Sequence, residues 1–118
     1  MAMRAIGLDI GGANLKASDG ERVSVTRAIP MWQRVDELHG ALKQLLAELS
    51  PFDVAAVTMT GELADCFTDK AEGVARILHA VQGAVASEIH VWQTSGEFVP
   101  PDVAREFPRL TAASNWHA

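Results

Sequence analysis

The stretch "IGLDIGGANLKAS" (Ile6–Ser18) decides how the opening of this chain folds. Apolar Ala5, Ile6 and Leu8 run up to Asp9, the pair Gly11-Gly12 lets the backbone bend freely, and Asn14 to Ala17 resume an alternating pattern. The stretch reads as strand, tight turn, strand. Two uses of such a turn make different demands. A hairpin needs glycine and asparagine for positive φ and nothing from Asp9 or Lys16. A phosphate-holding turn needs both. Its cradle is the backbone of Gly11, Gly12 and Ala13 with Asn14 beside them, Lys16 supplies charge, and Asp9 binds a metal ion directly or through water.

Working outward, the turn at Asp19-Gly20 leads into a third strand within "ERVSVTRAIP" (Glu21 to Pro30), so the first three strands form an antiparallel meander. Val35, Leu38, Leu42, Leu45, Leu46 and Leu49 repeat at helical spacing until Ser50-Pro51 stops the run. "DVAAVTMTG" (Asp53 to Gly61) is rich in β-branched residues and lacks polar alternation in its first half, as a strand covered on both faces would. A second helix spans Lys70 to Val85, and "EIHVWQT" (Glu88 to Thr94) is a last strand. The Pro-rich "SGEFVPPDVAREFP" turns the chain, and short helices follow Pro100. The expected fold class is α/β: a mixed five-stranded sheet in the order 3-2-1-4-5, built β-β-β-α-β-α-β then helix, with only the second strand antiparallel to its neighbours.

Composition narrows the function classes. A chain of 118 residues that is 48% hydrophobic and 21% charged can bury a core as a single unit, 1–118, without disulfides. The single cysteine, Cys66, makes no internal bridge, and no secretory leader pattern opens the sequence, so a cytoplasmic location is expected. No apolar run approaches the roughly 20 residues of a membrane span, which argues against a membrane role. A net charge of −5 with no basic cluster argues against nucleic acid as a partner. The expected ligand is a small phosphate or diphosphate.

A second candidate site lies in "TMTGELAD". Thr58, Thr60 and Gly61 end a parallel strand, where ligands of open α/β sheets gather, and Glu62 and Asp65 follow. A carboxylate there can take a proton from an attacking hydroxyl or hold Mg²⁺. The structural alternative makes Thr60 the cap of the next helix and Glu62 a first-turn acid. His39, His79, His90 and His117 show no metal-ligand spacing, and Cys66 has no local histidine to mark it as a nucleophile. Trp32, Trp92 and Trp116 are spaced for packing rather than for stacking bases.

The hairpin with "DIGGANLK" at its bend, followed by βαβα order, resembles the first lobe of the actin/Hsp70/sugar kinase superfamily, a ribonuclease H-like fold. More closely, "GLDIGGANLKAS", "AVTMTGELADCF", "EGVARILHAV" and "AASNWHA" together resemble the hydantoinase A/oxoprolinase-like family linked to tetrahydromethanopterin one-carbon transfer. Its archaeal relatives act in methanofuran biosynthesis. The resemblance implies a transferase that joins the phenol of γ-glutamyltyramine to an aminomethylfuran with loss of diphosphate. It implies catalytic roles for Asp9 and Glu62, ligand binding by Gly11, Gly12, Ala13, Asn14, Lys16, Thr60 and Gly61, and Mg²⁺ at Asp9. It places Asn115 toward the cleft. Alternatives are an ATP-dependent small-molecule kinase and a noncatalytic phosphate- or nucleotide-binding module. Members of the family are longer, so the chain is expected to be an amino-terminal lobe that is inactive alone. With no second lobe to cover Trp116 and Leu110, it is expected to self-associate or to be unstable.

Overall fold

The structure is a computed structural model that describes residues 4–21, 23–29, 35–49, 51–60 and 69–111. Strand β1 (Ala5–Ile10) buries Ile6, Leu8 and Ile10 on one face, and β2 (Asn14–Ser18) buries Leu15 and Ala17 on the same face. Period-two alternation places Gly7, Asp9 and Lys16 on the other. Strand β3 (Ser24–Ala28) pairs antiparallel with β2. A turn of 3₁₀ helix at Val35–Glu37 leads into α1 (Leu38–Leu46), which buries Leu38, Leu42, Leu45 and Leu46. Leu49, read from its spacing as helical, is buried beyond the end of α1.

Strand β4 (Val54–Met59) pairs parallel with β1, and β5 (Glu88–Gln93) pairs parallel with β4. Between them runs α2 (Lys70–Ala84), which buries Val74, Ile77, Leu78 and Val81. The Asp69 carboxylate caps it by accepting from the Glu72 N–H at 2.8 Å. Asp69 is therefore the cap of this helix, and the alternative of Thr60 capping a helix with Glu62 in its first turn falls on residues 61–68, outside the described residues.

The sheet has six strands in the order β3-β2-β1-β4-β5-β6, where β6 is Glu97–Val99. The expected order of the first five holds. The count of five does not, and β6 is a second antiparallel strand. What was read as a Pro-rich turn is a three-residue bend at Thr94, Ser95 and Gly96 with Gly96 at φ +94°, so the chain folds straight back along β5. Pro100 then ends the strand, and the short helices α3 (Pro101–Glu106) and α4 (Pro108–Thr111) follow.

Helices α1 and α2 pack on each other, and α3 and α4 pack on α2. All four thus lie on one side of the sheet and share a single core with the inward strand residues. Buried Gln93 fastens α4 to that side, donating from Nε2 to Thr111 Oγ1 at 3.3 Å, while Thr111 Oγ1 donates to the Ala104 carbonyl at 3.1 Å. Strand β4 was expected to be covered on both faces. Only Ala55, Val57 and Met59 are fully buried, and Val54, Ala56 and Thr58 are half-buried on the side that carries none of the described helices.

Candidate functional site

The face of the sheet opposite the four described helices concentrates the chemistry. Asp9 on β1 stands level with Lys16 on β2 and with Thr58 on β4. Because strands in a sheet lie about 4.8 Å apart, in-register side chains on one face are neighbours. A base, an acid and a hydroxyl from three strands therefore share one level. Lys16 is exposed, and Asp9 and Thr58 are half-buried. They line a depression of about 370 Å³ together with Ser18, Ala56 and Phe98. Its floor is shallow in side chains because Gly7 faces Ala56 across the β1–β4 ladder.

At the end of this level lies the β1–β2 bend. The Gly11 N–H donates to the Asn14 carbonyl at 3.0 Å, the Ile29 N–H to the Ala13 carbonyl at 2.8 Å, and the Thr60 N–H to the Ile10 carbonyl at 2.8 Å. The last bond carries the parallel ladder one residue past β4 and brings Thr60 to the bend. A Cβ on Gly11 would lie 3.2 Å from the Asn14 carbonyl oxygen and 3.7 Å from Thr60 Oγ1, so close approach explains the glycine there. Gly12 differs. Among the described residues positive φ is found at Gly20 and Gly96, and no described atom lies within 4 Å of a Cβ on Gly12. The expectation that a bare hairpin would require positive φ at this glycine pair is not met.

Of the sequence-derived candidates, Asp9, Gly11, Gly12, Ala13, Asn14, Lys16 and Thr60 are gathered at one end of the open face. Gly61, Glu62, Asp65, Cys66, Trp32, Asn115, Trp116 and His117 lie outside the described residues. Sequence reading recognised Thr58 only as a strand end, and it passed over Ser18 and Phe98. The signal for Thr58 was available in the parallel pairing of β1 with β4, which fixes the residue level with Asp9 once the register is known. Trp92 packs edge-on against Phe98 across β5–β6 with ring centroids 4.9 Å apart, beside this depression rather than in the core.

Among the described residues, two further hollows lie on the helical side, away from Asp9. One of about 520 Å³ opens between α1 and α2 around His39, Arg76 and His79, where Arg76 pairs with exposed Asp36 at 3.2 Å. The other, of about 500 Å³, separates β3 from α1. Among the described residues no three His, Cys, Asp or Glu side chains form a metal cluster. Asp9 with the neighbouring Thr58 hydroxyl suits a hard cation that brings its own phosphate oxygens, and does not suit a cage built wholly of protein ligands. No helix among the described residues is long and apolar enough to cross a membrane.

Residues 53–118 match the model of the hydantoinase/oxoprolinase family. The whole chain also aligns, at 36% identity over 121 positions, with the (4-{4-[2-(gamma-L-glutamylamino)ethyl]phenoxymethyl}furan-2-yl)methanamine synthase of Methanocaldococcus jannaschii. The chain spans 36% of the length of that relative. With more than half of its residues inside the family match and its full length aligned to a curated relative, the chain belongs to the hydantoinase/oxoprolinase family.

Proposed function

We propose that this chain supplies the phosphate-handling wall of a methanofuran-pathway synthase in tetrahydromethanopterin-linked one-carbon metabolism. The reaction displaces diphosphate from an aminomethylfuran diphosphate by a phenol. The observation that carries this reading is the alignment of the entire chain with the archaeal synthase. The open-face level of Lys16, Asp9 and Thr58 beside the glycine bend supports it.

In this reaction the bond from the furan-bearing carbon to the diphosphate oxygen breaks, the bond from that carbon to the phenol oxygen forms, and the phenol loses its proton. The leaving group gains negative charge as it departs, so fixed donors aimed at it lower the barrier more than they stabilise the bound substrate. In this reading Lys16 and the backbone N–H groups of Gly12 and Ala13 meet that charge, the Gly11 N–H being donated within the bend to the Asn14 carbonyl. Asp9 would hold a cation that accompanies the diphosphate, Mg²⁺ in this reading, and such a cation would neutralise the leaving group further. Glu62 takes the phenolic proton, and Thr60 and Gly61 complete the cradle. The same reading takes the chain as one lobe of an actin/Hsp70/sugar kinase-type fold, with the acceptor bound between this lobe and a second one. Alone the lobe is catalytically inactive.

Calorimetric titration of the chain with diphosphate, ATP and Mg²⁺ separately and in pairs tests the proposal. It predicts Mg²⁺-dependent binding of diphosphate that Lys16→Ala weakens. Binding of ATP alone in preference to diphosphate would favour a kinase, and equal affinity of wild type and Lys16→Ala would leave only the hairpin.

A further inference from the structure

The level that holds Asp9 differs chemically from the one beside it. One step along the strands, Ser24, Ser18, Gly7, Ala56 and His90 stand in register and bring two hydroxyls and an imidazole but no carboxylate. At the Asp9 level the order across β3, β2, β1 and β4 is Thr26, Lys16, Asp9, Thr58, so the Asp9 carboxylate has the Lys16 donor on one side and the Thr58 hydroxyl on the other. We propose that this row reads a cation-bridged diphosphate, with Thr58 contacting the phosphate group at the end away from Lys16. The inference rests on the reading above that the bend holds a phosphate-bearing ligand.

Reach supports the assignment. Lys16 and Thr58 sit on strands two steps apart, about 10 Å between backbones at ordinary sheet spacing. The four-carbon stem of lysine covers part of that distance, and a diphosphate covers more of the remainder than a single phosphate. Asp9 stands midway, where a bare carboxylate would repel either phosphate. A divalent cation bound with the diphosphate would convert that repulsion into attraction, which suits a carboxylate flanked by a donor on either side. The threonine hydroxyl is suited to the outer position because it donates to a phosphate oxygen without adding charge. The alternative is that Thr58 merely favours strand geometry. Valine would serve that purpose as well.

The comparison of those two side chains is the test. Wild type, Thr58→Val, Thr58→Ser and Lys16→Ala are titrated with inorganic diphosphate and with inorganic phosphate, each with Mg²⁺, and their melting temperatures are recorded. Loss of one hydrogen bond to a charged group predicts about a tenfold weaker diphosphate affinity for Thr58→Val. Phosphate affinity and melting temperature should hardly change, and serine should restore binding. If Thr58→Val binds diphosphate as wild type does while Lys16→Ala does not, the role of Thr58 is refuted and the phosphate-binding reading stands. Equal losses on phosphate and diphosphate would also refute it, because no end of the ligand would then be distinguished. Failure of wild type to bind diphosphate with Mg²⁺ would overturn both readings together.

Discussion

Two tight bends lie nine residues apart in the same meander, and only one of them is explained by the fold around it. At the β2–β3 bend, Gly20 has φ +79°, a conformation that costs any residue with a Cβ. Asp19 Oδ1 accepts from the N–H groups of Glu21 at 2.9 Å and Val23 at 3.1 Å, and Ser18 Oγ accepts from the Gly20 N–H at 3.0 Å. Each residue serves the turn. At the β1–β2 bend, Gly11 is explained by crowding, but Gly12 has neither positive φ nor a described neighbour within 4 Å of a Cβ. A glycine that the local backbone does not require costs conformational entropy on folding. In the function proposed above, close approach of the phosphate to the backbone accounts for it.

The comparison can be broken by substitutions that separate stability from binding. Lys16→Ala should have the largest effect. It removes the charge that faces a bound phosphate, lowering diphosphate affinity by roughly ten- to a hundredfold in calorimetry, and it should leave the melting curve unchanged because Lys16 is exposed. Gly20→Val comes next and acts in the opposite way. Forcing a β-branched residue to positive φ should cost about 1–2 kcal/mol in urea unfolding, with diphosphate affinity preserved. Asp19→Ala follows at about 1 kcal/mol, since it strips the acceptor from two backbone N–H groups. If Gly20→Val or Asp19→Ala weakened diphosphate binding as much as Lys16→Ala, the two bends would not be functionally distinct.

Much of the sheet was legible because its rules are local. Alternation in β1 and β2 fixed their faces, helical spacing from Leu38 to Leu46 fixed α1, and helical crossovers implied the parallel pairings. Strand β6 escaped because three residues are too few for a pattern and its neighbours Pro100 and Pro101 read as a turn. The bend "QTSGE" before it was the available sign, with glycine at the position where a three-residue hairpin takes positive φ. The open face was hidden for a different reason. "DVAAVT" looks buried on both sides because Ala56 and Val54 are apolar, and only the packing of all four described helices on one side reveals that it is half open. The candidate residues of the bend came from motif chemistry. Their alignment with Thr58 came from strand register, which is a non-local quantity that no window of sequence contains.

The central claim is that the β1–β2 bend is shaped for a ligand and not for itself, and Gly12→Ala tests it most directly when stability and diphosphate affinity are measured on the same protein. A methyl group placed in open space at an unstrained φ should leave the unfolding free energy unchanged or raise it by about 0.4–1 kcal/mol. The same methyl group should lower Mg²⁺-diphosphate affinity several-fold by standing between the backbone N–H groups and the phosphate. Unchanged affinity in the variant, with wild type binding normally, would contradict the account and leave Gly11-Gly12 as an ordinary turn.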